Sequence, residues 1–293
     1  MSTATKKAKK ISLANNTIIF SFISILLGLL VGAIALIIAG FNPLEAYGVM
    51  IEGIIGKPKY IAWTIIKSTP LILTGLSIAF AFKTGLFNIG AEGQFIIGAL
   101  TATIVGYGLD LPMIIHIPLT LIAAAVAGGL WGGIAGFLKS KFGVNEVIST
   151  IMLNWIAFYL NNFMIMTPWL RDGNSEASHV INDSAKIGVS WLTGLVGPAT
   201  KVNWGIIIAL VLVFVIAFIL FKTTVGFELR AVGHNKFGAE YGGINVNKSV
   251  LQSMAIAGLL AALAGAVHVM GVSNNITVLA ATEGNGFDGI AVA

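Results

Sequence analysis

Long apolar runs recur along this chain, most of them near the roughly 20 residues a helix needs to cross a bilayer, and short polar stretches separate them. The runs at residues 17–40, 60–82, 113–138, 147–166, 205–221 and 250–271, with a third run that ends near 107, predict seven spanning helices. The first carries no charge and exceeds the apolar core of about 7–15 residues found in a cleaved secretory signal, so it reads as a retained span. Gly28 and Gly32 form a small-xxx-small pair on it. On the fourth span Gly128, Gly132 and Gly136 repeat every four residues, as do Gly129 and Gly133, a ridge suited to close helix packing. Asn154, inside the fifth, is placed to bond a neighbouring helix.

The polar stretches carry the topology. Residues 1–15 hold Lys6, Lys7, Lys9 and Lys10 and little that can pack, and read as a disordered cytoplasmic tail. Residues 41–59 are mixed in polarity and are expected at the outer interface. Lys67, inside the second span, can snorkel to the outer surface. Residues 167–203 form the longest polar stretch, with Trp169, Trp191 and Trp204 as an interfacial belt. Seven spans starting inside put Lys83, Lys139, Lys141, Lys222, Arg230, Lys236 and Lys248 with the tail in the cytoplasm, and Arg171, Lys186 and Lys201 outside. That asymmetry obeys the positive-inside rule, so residues 222–248 are expected in the cytoplasm and 167–203 outside.

Composition agrees. Of 293 residues 57% are apolar and 10% charged, and the mean hydropathy is +0.93. The expected fold is all-α, a polytopic helical membrane protein with one permeation domain over residues 16–293, multi-pass in the cell membrane with lipid around it. Continuous apolar runs exclude an outer-membrane barrel, whose strands alternate over about 10 residues. The formal charge of +5 sits at segment ends and points to cytoplasmic loops rather than nucleic acid. Without cysteine there is no disulfide, thiolate metal site or thiol nucleophile. His116, His179 and His234 lie in separate segments with no metal-ligand spacing, and His268 is expected as a hydrogen-bonded packing residue. Asn274 and Asn275 are expected to cap the outer end of the last span.

Two segments break apolar surroundings with glycine, amides and acids: FNIGAEGQ at 87–94 and TEGNGFD at 282–288. An acid such as Glu92 at the centre of a spanning helix costs about 2.5–3.5 kcal/mol on insertion scales, so it faces a cavity or a partner. Gly85, Gly90 and Gly93 permit non-helical backbone, which survives at membrane depth only where it lines a cavity or is buried in protein. Gly-interrupted segments at matching places in two halves mark a transporter's binding site. On pattern alone residues 83–94 read equally as a cytoplasmic loop with Glu92 in water. The chain stops inside the apolar run 289–293 without a closing span, which reads as a partial eighth or re-entrant segment and a C-terminal truncation.

The polar island FKTTVGFELRAVGHNKFGAEYGGINVNKS at 221–249 reads as a water-facing loop with a short helix over 235–241, capped by Asn235 and stopped at Gly242-Gly243. Its run E-L-R-A-V-G-x-N, then F-G-A-E, then G-G-I, resembles the cytoplasmic coupling loop of ABC-importer permeases that handle simple sugars, nucleosides and branched-chain amino acids. Glu228, Arg230, Ala231, Gly233, Asn235, Ala239, Gly243 and Ile244 carry the match. Gly238 stands where the family usually has alanine, which loosens the helix by about 1 kcal/mol. GLFNIGAEGQF and ATEGNGFDGIAVA are similar to the signatures of the nucleoside-type members. The resemblance implies Glu228, Arg230, Gly233, Asn235, Phe237, Ala239, Glu240 and Gly243 as the ATPase-coupling surface. It implies Asn88, Glu92, Gln94, Glu283 and Asp288 beside the translocation path. It also implies a cytoplasmic ABC ATPase, a second permease subunit, like or unlike this one, and a lipid-anchored extracellular substrate-binding protein.

The chain has no G-x-x-x-x-G-K-[ST], so ATP would be used by the partner and no cofactor is expected here. Nucleosides are the expected cargo, and ribose-like sugars the alternative. A secondary transporter or channel, with 221–249 as a mere connector, is the second class. An intramembrane enzyme would need a converging nucleophile and base or a metal set, and the sequence offers neither.

Overall fold

In the computed structural model the described residues are 17–197 and 200–293, so the expected tail at 1–15 lies outside them. The chain divides into two compact units, residues 1–61 and 62–293, each described by itself.

The first unit is a helical hairpin. Helix α1, Thr17–Ile38, carries no charged residue. Helix α2, Pro43–Ile55, occupies the stretch read as interfacial, and its start is written locally. Asn42 caps it by accepting the Leu44 N–H at 3.1 Å, and Pro43 fits the first turn, where no N–H is needed. The Tyr47 hydroxyl donates to the Leu29 carbonyl at 2.5 Å and sits over Gly32, so that glycine marks the contact between the two helices. Nothing approaches Gly28.

Helix α3, Pro58–Lys83, leads into the second unit. There α4 (Ala91–Gly108), α5 (Met113–Phe142) and α6 (Glu146–Ile165) follow, then α7 (Ser190–Val196), α8 (Gly205–Lys222), α9 (Thr224–His234), α10 (Lys236–Tyr241), α11 (Val246–His268) and α12 (Asn285–Val292). A π turn, Val269–Ser273, extends α11. The described residues form no strand, only isolated bridges. Six described helices are long and apolar enough to cross a membrane: α1, α3, α5, α6, α8 and α11. The third expected span, α4, is not among them. Its first turn carries Glu92, Gly93 and Gln94, and most of it is buried in protein. A helix enclosed by protein need not match lipid in composition.

Most of α11 is buried, with α5 and α4 packed on it. Glycines set both distances. A Cβ on Gly132 would strike the Met254 carbonyl, one on Gly258 the Gly128 carbonyl, and one on Gly136 would lie 3.0 Å from Leu251 Cα. The expected ridge is therefore the α5–α11 seam, and Gly129 and Gly133 lie at its looser edge, at 3.5 Å or more. Across α4, Gly98 meets the Ala262 carbonyl and Gly265 the Phe95 carbonyl in the same way. Without a hydrophobic drive between helices in lipid, such van der Waals closeness is what holds them. The α5–α6 turn closes on left-handed Gly143 (φ +69°) and on an ion pair between Lys139 and Glu146.

The described residues of 167–203, expected as an outer loop, pack against the end of α11. Ile181 N–H donates to Asn274 O at 2.9 Å, Ile187 N–H to Met270 O at 3.0 Å, and Ser178 N–H to Ile276 O at 2.8 Å. Leu170, Ile181 and Ile187 are buried beneath, while Trp169, Trp191 and Trp204 stay exposed. Asn274 ends the π turn in the left-handed region (φ 64°), its N–H on Val269 O, the cap expected there.

Candidate functional site

Two interrupted segments meet in the second unit. The first leaves α3 through Gly85 (φ +71°) and enters α4 at Ala91. Asn88 folds it: its Oδ1 accepts the Gly90 N–H at 3.1 Å, and its amide exchanges hydrogen bonds with Gln94 at 2.9 and 3.2 Å. Asn88 also donates to Ser77 Oγ at 3.3 Å, and Ser77 donates to the Ala257 carbonyl at 2.6 Å. Asn154 of α6 reaches in from the side. It accepts the Gly93 N–H at 2.8 Å and donates to the Ile89 carbonyl at 3.0 Å. Backbone that has left the helical ladder must find such partners when buried.

Glu92 ties this segment to the second. Its Oε1 accepts the Gly284 N–H at 2.9 Å and its Oε2 the Gly286 N–H at 2.6 Å. These amides open α12, so the carboxylate caps a helix start where the backbone dipole favours a negative charge. A side chain at Gly286 would collide with the Glu92 backbone, which explains how closely the two strands of chain approach. Asn88, Glu92 and Gln94 are thus fully buried and paired within the protein. Among the expected path residues, Glu283 lines an open space. Asp288 is exposed on the first turn of α12.

That open space is a cavity of about 90 Å³ whose walls include Phe95, Asn161, His268, Ser273, Thr277 and Glu283. The Phe95 and His268 rings lie 5.9 Å apart, tilted by 49°. His268, expected as a hydrogen-bonded packing residue, forms no hydrogen bond to the described residues. It ends α11 at the π turn and lines the cavity. His116 does take the packing role, with ring nitrogens at 2.8 Å from Ser184 Oγ and 3.1 Å from the Val105 carbonyl.

The polar island is more helical than its pattern predicts. Thr223 caps α9 by accepting the Gly226 N–H at 3.2 Å, and Leu229 and Val232 bury its inner face. Arg230 folds back, with Nε on the Gly226 carbonyl at 3.3 Å and its guanidinium 5.4 Å from the Phe221 ring. Glu228 is half-buried on the same helix. Gly233 presses on the Lys83 carbonyl at the end of α3, next to Gly85. The expected short helix is α10. Asn235 caps it by accepting the Gly238 N–H at 3.1 Å, and Gly243 (φ +85°) closes it, with the Ile244 N–H on the Ala239 carbonyl at 3.0 Å. Ala239 points inward, while Glu240 and the aromatic rings of Phe237 (84% exposed) and Tyr241 (97%) stand outward.

Residues 60–293 match the family model of the branched-chain amino acid transport system permease component. The chain belongs to this permease family. It is 45% identical over 271 residues to the guanosine ABC transporter permease protein NupP of Bacillus subtilis, covering 92% of this chain and 77% of that protein. It is 37% identical to the nucleoside ABC transporter permease protein NupB of Lactococcus lactis, over 94% of this chain and 77% of that one. A glucose ABC transporter permease of Haloferax volcanii is 33% identical, over 92% and 72%. No solved structure matches.

In this permease the sequence reading missed Phe95, Asn161, Ser273 and Thr277 as cavity walls, and Tyr241 as an outward ring of α10. Tyr241 had a signal: it lies four positions after Phe237, on the same face of a helix. The cavity residues had none, because they come from three separate parts of the chain.

Proposed function

We propose that this permease is the membrane subunit of an ATP-driven importer of nucleosides, with its N-terminus in the cytoplasm. Its partners in this reading are a separate ABC ATPase, a second permease subunit and an extracellular substrate-binding lipoprotein. The nucleoside reading rests on the relatives named for guanosine and nucleosides. The glucose permease among the relatives favours a simple sugar as the second reading.

The observation that carries the mechanism is α10: a capped, outward helix that bares Phe237 and Tyr241, beside Gly233 seated on α3. Exposed aromatic rings of this kind anchor protein interfaces. ATP-driven closure of the ATPase would press on 235–244. The push would pass through Gly233 to Lys83 and Gly85, then to the Asn88–Gln94 turn and, through Glu92, to α12. Asn88, Glu92 and Gln94 would shape the path from behind, and Glu283 and Asp288 would face it. The energy must arrive as contacts that differ between outward and inward states.

Uptake of labelled guanosine, uridine and ribose into cells carrying the complete transporter tests this. Nucleoside uptake that stops when the ATPase subunit is deleted supports the reading. Ribose uptake alone transfers it to sugars, and uptake that survives the deletion makes the chain a secondary transporter or channel.

A further inference from the structure

We propose that Glu146, braced by Lys139, is a positioning residue for transport: it fixes residues 84–90, so that a push arriving at Lys83 and Gly85 moves the Asn88–Gln94 turn instead of being taken up by the loop. This rests on the coupling reading above. Residues 84–90 lie outside the helices, between the end of α3 and the start of α4. Gly233 presses on the chain at Lys83 and Thr84. Left-handed Gly85 (φ +71°) comes next, and a glycine with that freedom absorbs displacement unless the chain beyond it is held.

Helix α6 supplies the hold. Glu146, Thr150 and Asn154 recur every four positions, so they share one face of it. All three meet the loop or its exit into α4. The Glu146 carboxylate accepts the Phe87 backbone N–H. Thr150 packs on Gly90, where a Cβ would lie 3.0 Å from the Thr150 Cβ. Asn154 bonds the Ile89 carbonyl and the Gly93 N–H. Glu146 is also tied to α5, because its Oε2 pairs with Lys139 Nζ across the turn at Gly143. The pair is largely shielded, with side-chain exposures of 20% and 12%. A shielded carboxylate that holds both a cation and an amide is a stiff joint, since releasing it leaves a charge and a donor without partners. One acid thus links α5, α6 and the loop. In the same loop Thr84 Oγ1 is buried without a partner. Buried polar groups are nearly always paired, so this arrangement of the loop carries a cost that a shifted one can relieve. A difference of that kind between states is what coupling requires.

The test separates a positioning joint from a mere brace. The complete transporter is reconstituted in proteoliposomes, and labelled guanosine taken up is measured per ATP hydrolysed, with ribose in its place if only ribose enters. Glu146→Met removes both contacts and should cut uptake per ATP about tenfold, the loss of one charge-assisted hydrogen bond. The ATPase should stay bound, since α10 is untouched. Where Glu146→Met does not assemble, Glu146→Asp, which draws the carboxylate back from Phe87 by one methylene, replaces it with the same expectation. The double variant Lys139→Glu with Glu146→Lys restores an ion pair but sets an ammonium, which cannot accept, against the Phe87 N–H. Its thermal midpoint should rise above that of the single variant while its uptake per ATP stays low. Parental uptake per ATP in the single variant overturns the proposal. So does a double variant that recovers uptake along with its midpoint, because the pair is then only a brace. Both of those outcomes leave ATP-driven import standing. A parental transporter whose uptake does not depend on ATP overturns the coupling reading and this proposal together.

Discussion

The Glu92 carboxylate accepts the Gly286 amide at 2.6 Å across 194 positions of sequence, and its other oxygen takes Gly284. One buried acid thereby fastens the break before α4 to the break before α12. Burying a carboxylate is costly unless hydrogen bonds compensate, and here two amides at a helix start do so.

Glu92→Ala is expected to orphan both amides, each at about 1–3 kcal/mol. The thermal midpoint of the detergent-purified protein should fall, and Glu92→Gln, which keeps one acceptor, should fall between the two. A parental midpoint in Glu92→Ala would show that water replaces the carboxylate without loss.

The glycine seam predicts a contrast. Gly258→Ala drives a Cβ into the Gly128 carbonyl, and forcing α5 from α11 should cost about 1–3 kcal/mol. Gly129→Ala meets nothing nearer than 3.5 Å and should keep the parental midpoint. Thermal unfolding of both variants side by side checks this, and equal losses would refute the seam.

Asn154→Leu removes the acceptor of the Gly93 N–H and the donor to the Ile89 carbonyl. A drop of about 2 kcal/mol is expected, because both groups are buried away from water. Asn154→Asp keeps the acceptor and should recover part of it. Chemical denaturation in mixed micelles is the measurement.

Phe237→Ala and Tyr241→Ala truncate rings that touch almost nothing in the chain, so the thermal midpoint should not move. Affinity for the ATPase subunit should fall about tenfold or more for each, as for aromatic anchors elsewhere. Undiminished co-purification of the ATPase with the double variant would remove α10 from the interface.

Gly233→Ala separates docking from transmission. Its Cβ would strike the Lys83 carbonyl, displacing α9 from α3 without altering the outward face of α10. ATPase binding should persist while nucleoside uptake falls. Parental uptake would show that force does not travel by this contact.

The sequence by itself determined the spans and the caps. A bilayer demands about 20 apolar residues in a row, and the six spanning helices answer that demand within a few positions of the expected bounds. Asn235 and Gly243 fixed α10 because capping is settled between residues a few places apart. Helix α9 was written too, in Val225, Leu229 and Val232 at helical spacing, but Gly226, Gly233 and the surrounding charge made it read as loop. Only the tertiary structure decided which buried group each polar side chain meets. That Glu92 caps α12, that Asn154 serves Gly93, and that Phe95, His268 and Glu283 share a cavity all depend on packing between distant segments. The physical reason is that hydropathy and capping act along the chain, whereas the partner of a buried amide or carboxylate is set by which helices the glycine contacts bring together.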